Sequence, residues 1–165
     1  MRKLIWIISF FAVSLIISGC DGSGGSDSAK DTFAQNIQGR WYRVGTMKGC
    51  ETRGPSKAIL EITEDTMIVH EKFYIHAGVC NDSDLMNSID RVYTYTIGAK
   101  THDVNGKEGY EINIVSSDNK HFYTMYRLEN NYLYYAQKNG NNNGLTPDKR
   151  ENKFSDLKFY VKLTN

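Results

Sequence analysis

The chain has 165 residues, with 20 Lys and Arg against 19 Asp and Glu, a formal net charge of +1, and 40% hydrophobic residues. A near-neutral balance with no block of like charge excludes the basic face that nucleic-acid binding needs. No internal repeat is present, and the residues from Ile37 to Asn165, about 129 of them, suffice for one domain with a real core.

Residues 1–20 read as an address. Arg2 and Lys3 give a positive start, and Leu4 to Ile17 form an apolar run broken only by Ser9 and Ser14. That run suits an export signal and is short for a spanning helix, which needs roughly 20 residues. It ends in Ile17-Ser18-Gly19-Cys20, which resembles the bacterial lipobox. The resemblance implies cleavage after Gly19, lipidation of Cys20 and acylation of the new amino terminus, including palmitate-type chains; two or more chains anchor stably where one does not. The implied mature protein is a membrane lipoprotein facing the periplasm or exterior. Asp21 resembles the enteric signal for retention at the inner membrane. Cleavage takes Arg2 and Lys3 and no acidic residue, leaving 18 basic against 19 acidic residues. Residues 20–36 are then the lipidated Cys and a Gly/Ser/Asp linker, predicted to be flexible and too polar to fold.

With Cys20 assigned to lipid, Cys50 and Cys80 remain in an oxidising compartment, and an even remainder there predicts a disulfide. Closing that loop would contribute about 3–4 kcal/mol in the chain-entropy model.

From Gly39 onward the chain is rich in Tyr, Ile, Val, Phe and Thr with frequent turn residues. The pattern predicts eight strands, at 39–46, 57–64, 66–76, 89–98, 109–116, 120–129, 132–138 and 157–163. Glu64-Asp65, Ser117-Asp118-Asn119 and Asn130-Asn131 read as tight hairpin turns, and Asp103–Gly106 as part of a longer loop. No segment after the address has a convincing helical period. An antiparallel eight-stranded up-and-down barrel follows, with a sandwich as the alternative. Alternation points Ala58, Leu60 and Ile62 inward, as it does Met67, Val69, Phe73 and Ile75, and Leu157, Phe159, Val161 and Leu163. The tyrosine-rich strands fit either face.

Ile37-Gln38-Gly39-Arg40-Trp41-Tyr42 resembles the Gly-x-Trp start of lipocalins and smaller lipocalin-like domains. The resemblance implies that Gly39 turns the chain into the first strand and that Trp41 plugs the closed end of the barrel. The last strand lacks the Arg that would stack on that Trp, and Lys158 and Lys162 are the nearest substitutes. In a meander the connections 47–56, 77–88, 117–119 and 139–156 share one end. That end would hold Cys50 and Cys80, and the tether would enter at the other.

Candidate chemistry is sparse. Glu71 and Arg91 fall on inward faces of neighbouring strands and could pair as a polar floor beneath a ligand, beside Tyr93 and Tyr95. His70, His76, His102 and His121 have no chelating spacing and predict no metal site. No nucleophile context accompanies the Ser, His and Asp residues, so no enzyme and no cofactor is predicted. Gly140–Gly144 and Thr146–Glu151 read as a flexible loop and a solvated charged turn. The function expected is a lipid-anchored barrel binding a small apolar or amphipathic ligand. The alternative is a filled barrel that binds or inhibits an envelope protein.

Overall fold

The computed structural model describes residues 24–43, 46–47, 50–51, 56–76 and 80–163. The expected signal and lipobox, and Asp21, lie outside them. The elements in chain order are α1 (Gly24–Ile37), β1 (Gly39–Arg43), β2 (Thr46–Met47), β3 (Cys50–Glu51), β4 (Ser56–Ile62), β5 (Thr66–Tyr74), β6 (Leu85–His102), β7 (Glu108–Ser116), β8 (His121–Glu129), β9 (Tyr132–Gln137) and β10 (Lys153–Lys162).

β4 to β10 form an antiparallel meander, and β1 pairs with both β10 and β4. The sheet therefore closes into an eight-stranded antiparallel barrel, the lipocalin-like build, and not a sandwich. β2 and β3 add a short ribbon on β4 through Cys50 opposite Lys57. The hairpins turn where polar pairs were predicted, and Asn119, Asn130 and Asn131 take positive φ of 61°, 49° and 65°. Asparagine tolerates this left-handed backbone better than most residues.

One pole of the barrel is packed. Gly39 has φ +117°, and a Cβ there would meet the Lys162 side chain at 3.2 Å, so glycine makes the turn into β1. Trp41 is fully buried and donates its indole N–H to the Ile37 carbonyl at 2.7 Å. The Lys162 ammonium lies 5.2 Å from the indole centroid, the stacking place assigned to a basic residue of the last strand. The same ammonium bonds the Asn36 carbonyl at 3.0 Å.

This pole corrects the expected flexible linker. Gly24–Ile37 is helical. Phe33 is buried and stacks on Tyr110 at 4.3 Å, and Ile37, one turn later, is fully buried. Two apolar residues at i and i+4 suffice because the barrel offers them an open end to fill.

β10 also departs from the alternation. A register shift between Phe154 and Phe159 reverses its phase. Tyr160 packs into the core and Lys162 covers Trp41, whereas Leu163 is exposed; Val161, predicted inward, lies opposite Tyr42 on the face away from Tyr160. The side chains of Leu157 and Phe159 lie outside the described residues. Phe154 is buried with Met125 and Ala136 in a second, smaller cluster. Ile75 follows the end of β5 and is exposed, while Tyr74 is buried after a register shift.

Candidate functional site

The chain direction of each strand places the linkers 44–55, 75–84, 117–120 and 138–152 at the pole opposite α1. Cys50 and Cys80 are both in this set. Cys80 is a half-cystine, but the Cys50 side chain lies outside the described residues, and no disulfide with both partners is found among the described ones.

Beneath this pole the barrel wall borders a half-open cavity of about 260 Å³. Leu60, Met67 and Val69 form one wall, Tyr93 and Ile114 a second, and Phe122, Tyr126 and Tyr160 the rest. Alternation explains the set, since β4 to β8 and β10 contribute residues of their inward faces, from Met67 and the level of Trp41 toward the open pole. The lining is mainly apolar. Its buried polar group is the Tyr126 hydroxyl, whose partner is the Met67 thioether at 3.8 Å. Burial pushes the Tyr126 phenol well above its ordinary range, and neighbouring Tyr160, Tyr135 and Glu151 add to the rise. No binding chemistry here needs a charge inside the barrel.

Arg91 and Glu71 do pair, as expected from their faces. They stand one step outward from Val69 and Tyr93, across the diagonal of the Val69–Arg91 and Glu71–Ile89 register. Arg91 is 45% exposed and Glu71 27%, so the pair is a polar rim and not the polar floor predicted. Tyr93 lines the cavity. Tyr95 does not: it is buried deeper and donates its hydroxyl to the Thr63 carbonyl at 2.8 Å. Burial, then Asp65 and Glu64, raise its phenol.

The 138–152 connection is tied down. Gly144 and Glu151 flank β8 by backbone bonds to Tyr123 at 2.8 and 3.0 Å. The Arg150 guanidinium, read earlier as part of a solvated turn, is only 11% exposed. It donates to the Ile112 and Thr124 carbonyls at 3.0 Å and to Asn113 at 2.8 Å, and lies over the Tyr123 ring. Five fixed donors suit Arg for capping several acceptors at once. Burial raises the Glu151 carboxyl, and a hydrogen bond with Thr124 partly offsets this.

Asp103 is the buried acid that the sequence did not single out. Its oxygens accept N–H groups from Asn105 at 2.9 Å, Lys107 at 2.8 Å and Phe154 at 3.1 Å. Burial pushes its carboxyl up, but these donors and the Lys107 charge outweigh that and hold it below the ordinary range. Asp103 thus joins the β6–β7 turn to the start of β10. The one local signal was its place in Asp103-Val104-Asn105-Gly106, where Asp accepts from its own turn.

On the outer wall, Arg40, Lys57, Ile59, His70, Lys72, Ser88 and Asp90 border a polar groove of about 400 Å³. His70 sits 2.9 Å from Asp90 and 3.6 Å from Glu61. His76, His102 and His121 are exposed. Among the described residues no group of three His, Cys, Asp or Glu could hold a metal ion, and no helix is long and apolar enough to cross a membrane. No protein-family model, curated protein or solved structure matches the chain. The class is therefore defined by geometry alone: a closed eight-stranded antiparallel barrel, plugged at one pole and hollow near the other.

Proposed function

We propose that this chain is a lipid-anchored envelope protein whose barrel holds one small apolar or amphipathic molecule. The observation that carries the reading is the apolar cavity of about 260 Å³ at the pole opposite α1. It falls near the lower edge of the roughly 300–1,000 Å³ usual for small-molecule sites, so the ligand is small or inserts only its end. The Arg91–Glu71 rim would meet a polar head group. A filled inhibitor module requires an interior without room, and the cavity weighs against it. Anchorage at Cys20 rests on the lipobox, inner-membrane retention on Asp21, and orientation on α1 leaving the plugged pole. The Cys50–Cys80 bond belongs to the same proposal, since both residues serve the hollow pole.

Titration with an environment-sensitive naphthalene sulfonate dye, displaced by medium-chain fatty acids, tests the ligand reading. Saturable binding of one dye per chain, lost in Ile114→Trp, is expected. Absence of binding by the folded protein, with no co-purified adduct in native mass spectrometry, overturns it. Anchorage is tested by mass spectrometry of the amino-terminal peptide and by release of Cys20→Ala into the soluble fraction.

A further inference from the structure

β6 is longer than the strands beside it. Its residues from Leu85 to Thr94 face β5, and those from Tyr93 to His102 face β7. Among the described residues, each end of β6 therefore has a strand on one side only. The lower stretch carries Lys100 and His102, a register shift between Ile97 and Lys100, and a Lys100–Glu108 ion pair. Charge and bulging are how proteins guard a free sheet edge.

The upper stretch is not guarded in this way. A register shift leaves Met86 as its upper limit. From Asn87 to Val92 the ladder to β5 is regular, and no described strand or loop bonds the opposite edge. Its two charges are drawn toward β5, Asp90 to His70 and Arg91 to Glu71. The backbone N–H and C=O groups on the β7 side are left without a charged screen.

The cavity opens at the same place. Tyr93 ends the free stretch, and Ile114 and Phe122 face it from the β7–β8 hairpin. Phe122 is 39% exposed, so the opening reaches solvent beside the edge.

We propose that the Asn87–Val92 edge and this cavity form a docking site for an extended, uncharged peptide segment of a partner protein. The segment adds a strand beside β6 and seats one large apolar side chain in the cavity. The edge chooses the occupant: its alternating donors and acceptors are satisfied by another extended backbone, while the pocket for an alternate side chain supplies selectivity. The cavity has the scale and apolar lining for one aromatic or branched aliphatic side chain. The rim charges are already paired, so a charged segment gains nothing. This goes beyond the small-ligand reading, although both occupants use the same cavity.

The test titrates the full lipoprotein in detergent with an end-capped heptapeptide of alternating threonine and valine, with phenylalanine at its centre. One peptide per chain is expected, with hydrogen-exchange protection of the Asn87–Val92 amides. Alanine at the centre should weaken binding about tenfold or more. Proline on both sides of the centre should abolish it. Ile114→Trp should reduce the phenylalanine peptide to the alanine level, with Val69→Phe as the second filling should the first misfold. Equal binding of the proline peptide, or protection elsewhere, overturns strand addition. Self-association that protects the same amides without peptide overturns the partner peptide in favour of a second copy. Peptide binding without dye binding refutes the small-ligand reading alone; dye binding without peptide binding refutes this one alone.

Discussion

The two poles of the barrel are built from the same inward alternation and end in opposite conditions. At the α1 pole, Phe33, Ile37, Trp41, Tyr110 and Leu133 are buried, and the Trp41 indole N–H is paired. Toward the other pole Val69, Tyr93, Ile114 and Phe122 of β5 to β8 border a cavity. The difference comes from what covers each end. A helix supplies two apolar side chains to one, while at the other the described 138–152 connection is bonded along β8. Stability is therefore concentrated at one pole, and the capacity to bind is left at the other.

The largest expected effect tests that division. Trp41→Ala should cost about 3–5 kcal/mol in urea unfolding, because it opens a cavity and strips partners from Ile37 and Lys162. A loss below about 1 kcal/mol would mean that the plug is not the centre of stability. Asp103→Ala should cost about 1–3 kcal/mol, since it leaves backbone donors unsatisfied. Because the Asp103 carboxyl is held low, its contribution is present above the ordinary carboxylate pKa and is lost as pH falls through the depressed value. An Asp103→Asn melt series against pH would show a shallower acid limb.

At the hollow pole the effects on stability should be small. A double-mutant cycle on Glu71→Ala and Arg91→Ala should give a coupling of about 0.2–1 kcal/mol, as for exposed ion pairs. The same variants should alter dye or fatty-acid affinity more than unfolding midpoint. The least effect is expected at Glu151. Its carboxyl is raised, so its stabilising share is full below the ordinary carboxylate pKa and lost as pH rises through the raised value. Glu151→Gln should flatten that part of the pH–stability curve. An unchanged curve would place the carboxyl in solvent.

Much of the barrel was legible because strands announce themselves locally. Two-residue alternation and polar turn pairs placed all eight barrel strands, with ends differing by a few residues; β6 extends furthest beyond its predicted bounds. What was not legible depends on distant partners. α1 is polar in sequence, and only the open end of the barrel gives Phe33 and Ile37 something to cover. Arg150 sits in a run of charges, and only the fold brings it to the carbonyls of Ile112 and Thr124. In the site, the faces of Glu71, Arg91 and Tyr93 were readable from alternation. Their depth was not, because alternation gives a side and not a height along the barrel. Tyr95 was misplaced for that reason.

Trp41 has one more consequence. The chain has two tryptophans, Trp6 in the proposed export signal and Trp41. After the proposed cleavage, Trp41 is the only indole left, buried at the plugged pole. Its emission then reports unfolding of the whole domain. Tyr93, Tyr126 and Tyr160 line the cavity, and Leu60, the cross-strand partner of Trp41, forms part of the same wall. Selective excitation of tryptophan thus gives the unlabelled protein one optical probe of the fold, seated close enough to the cavity wall for its spectrum to respond to occupancy.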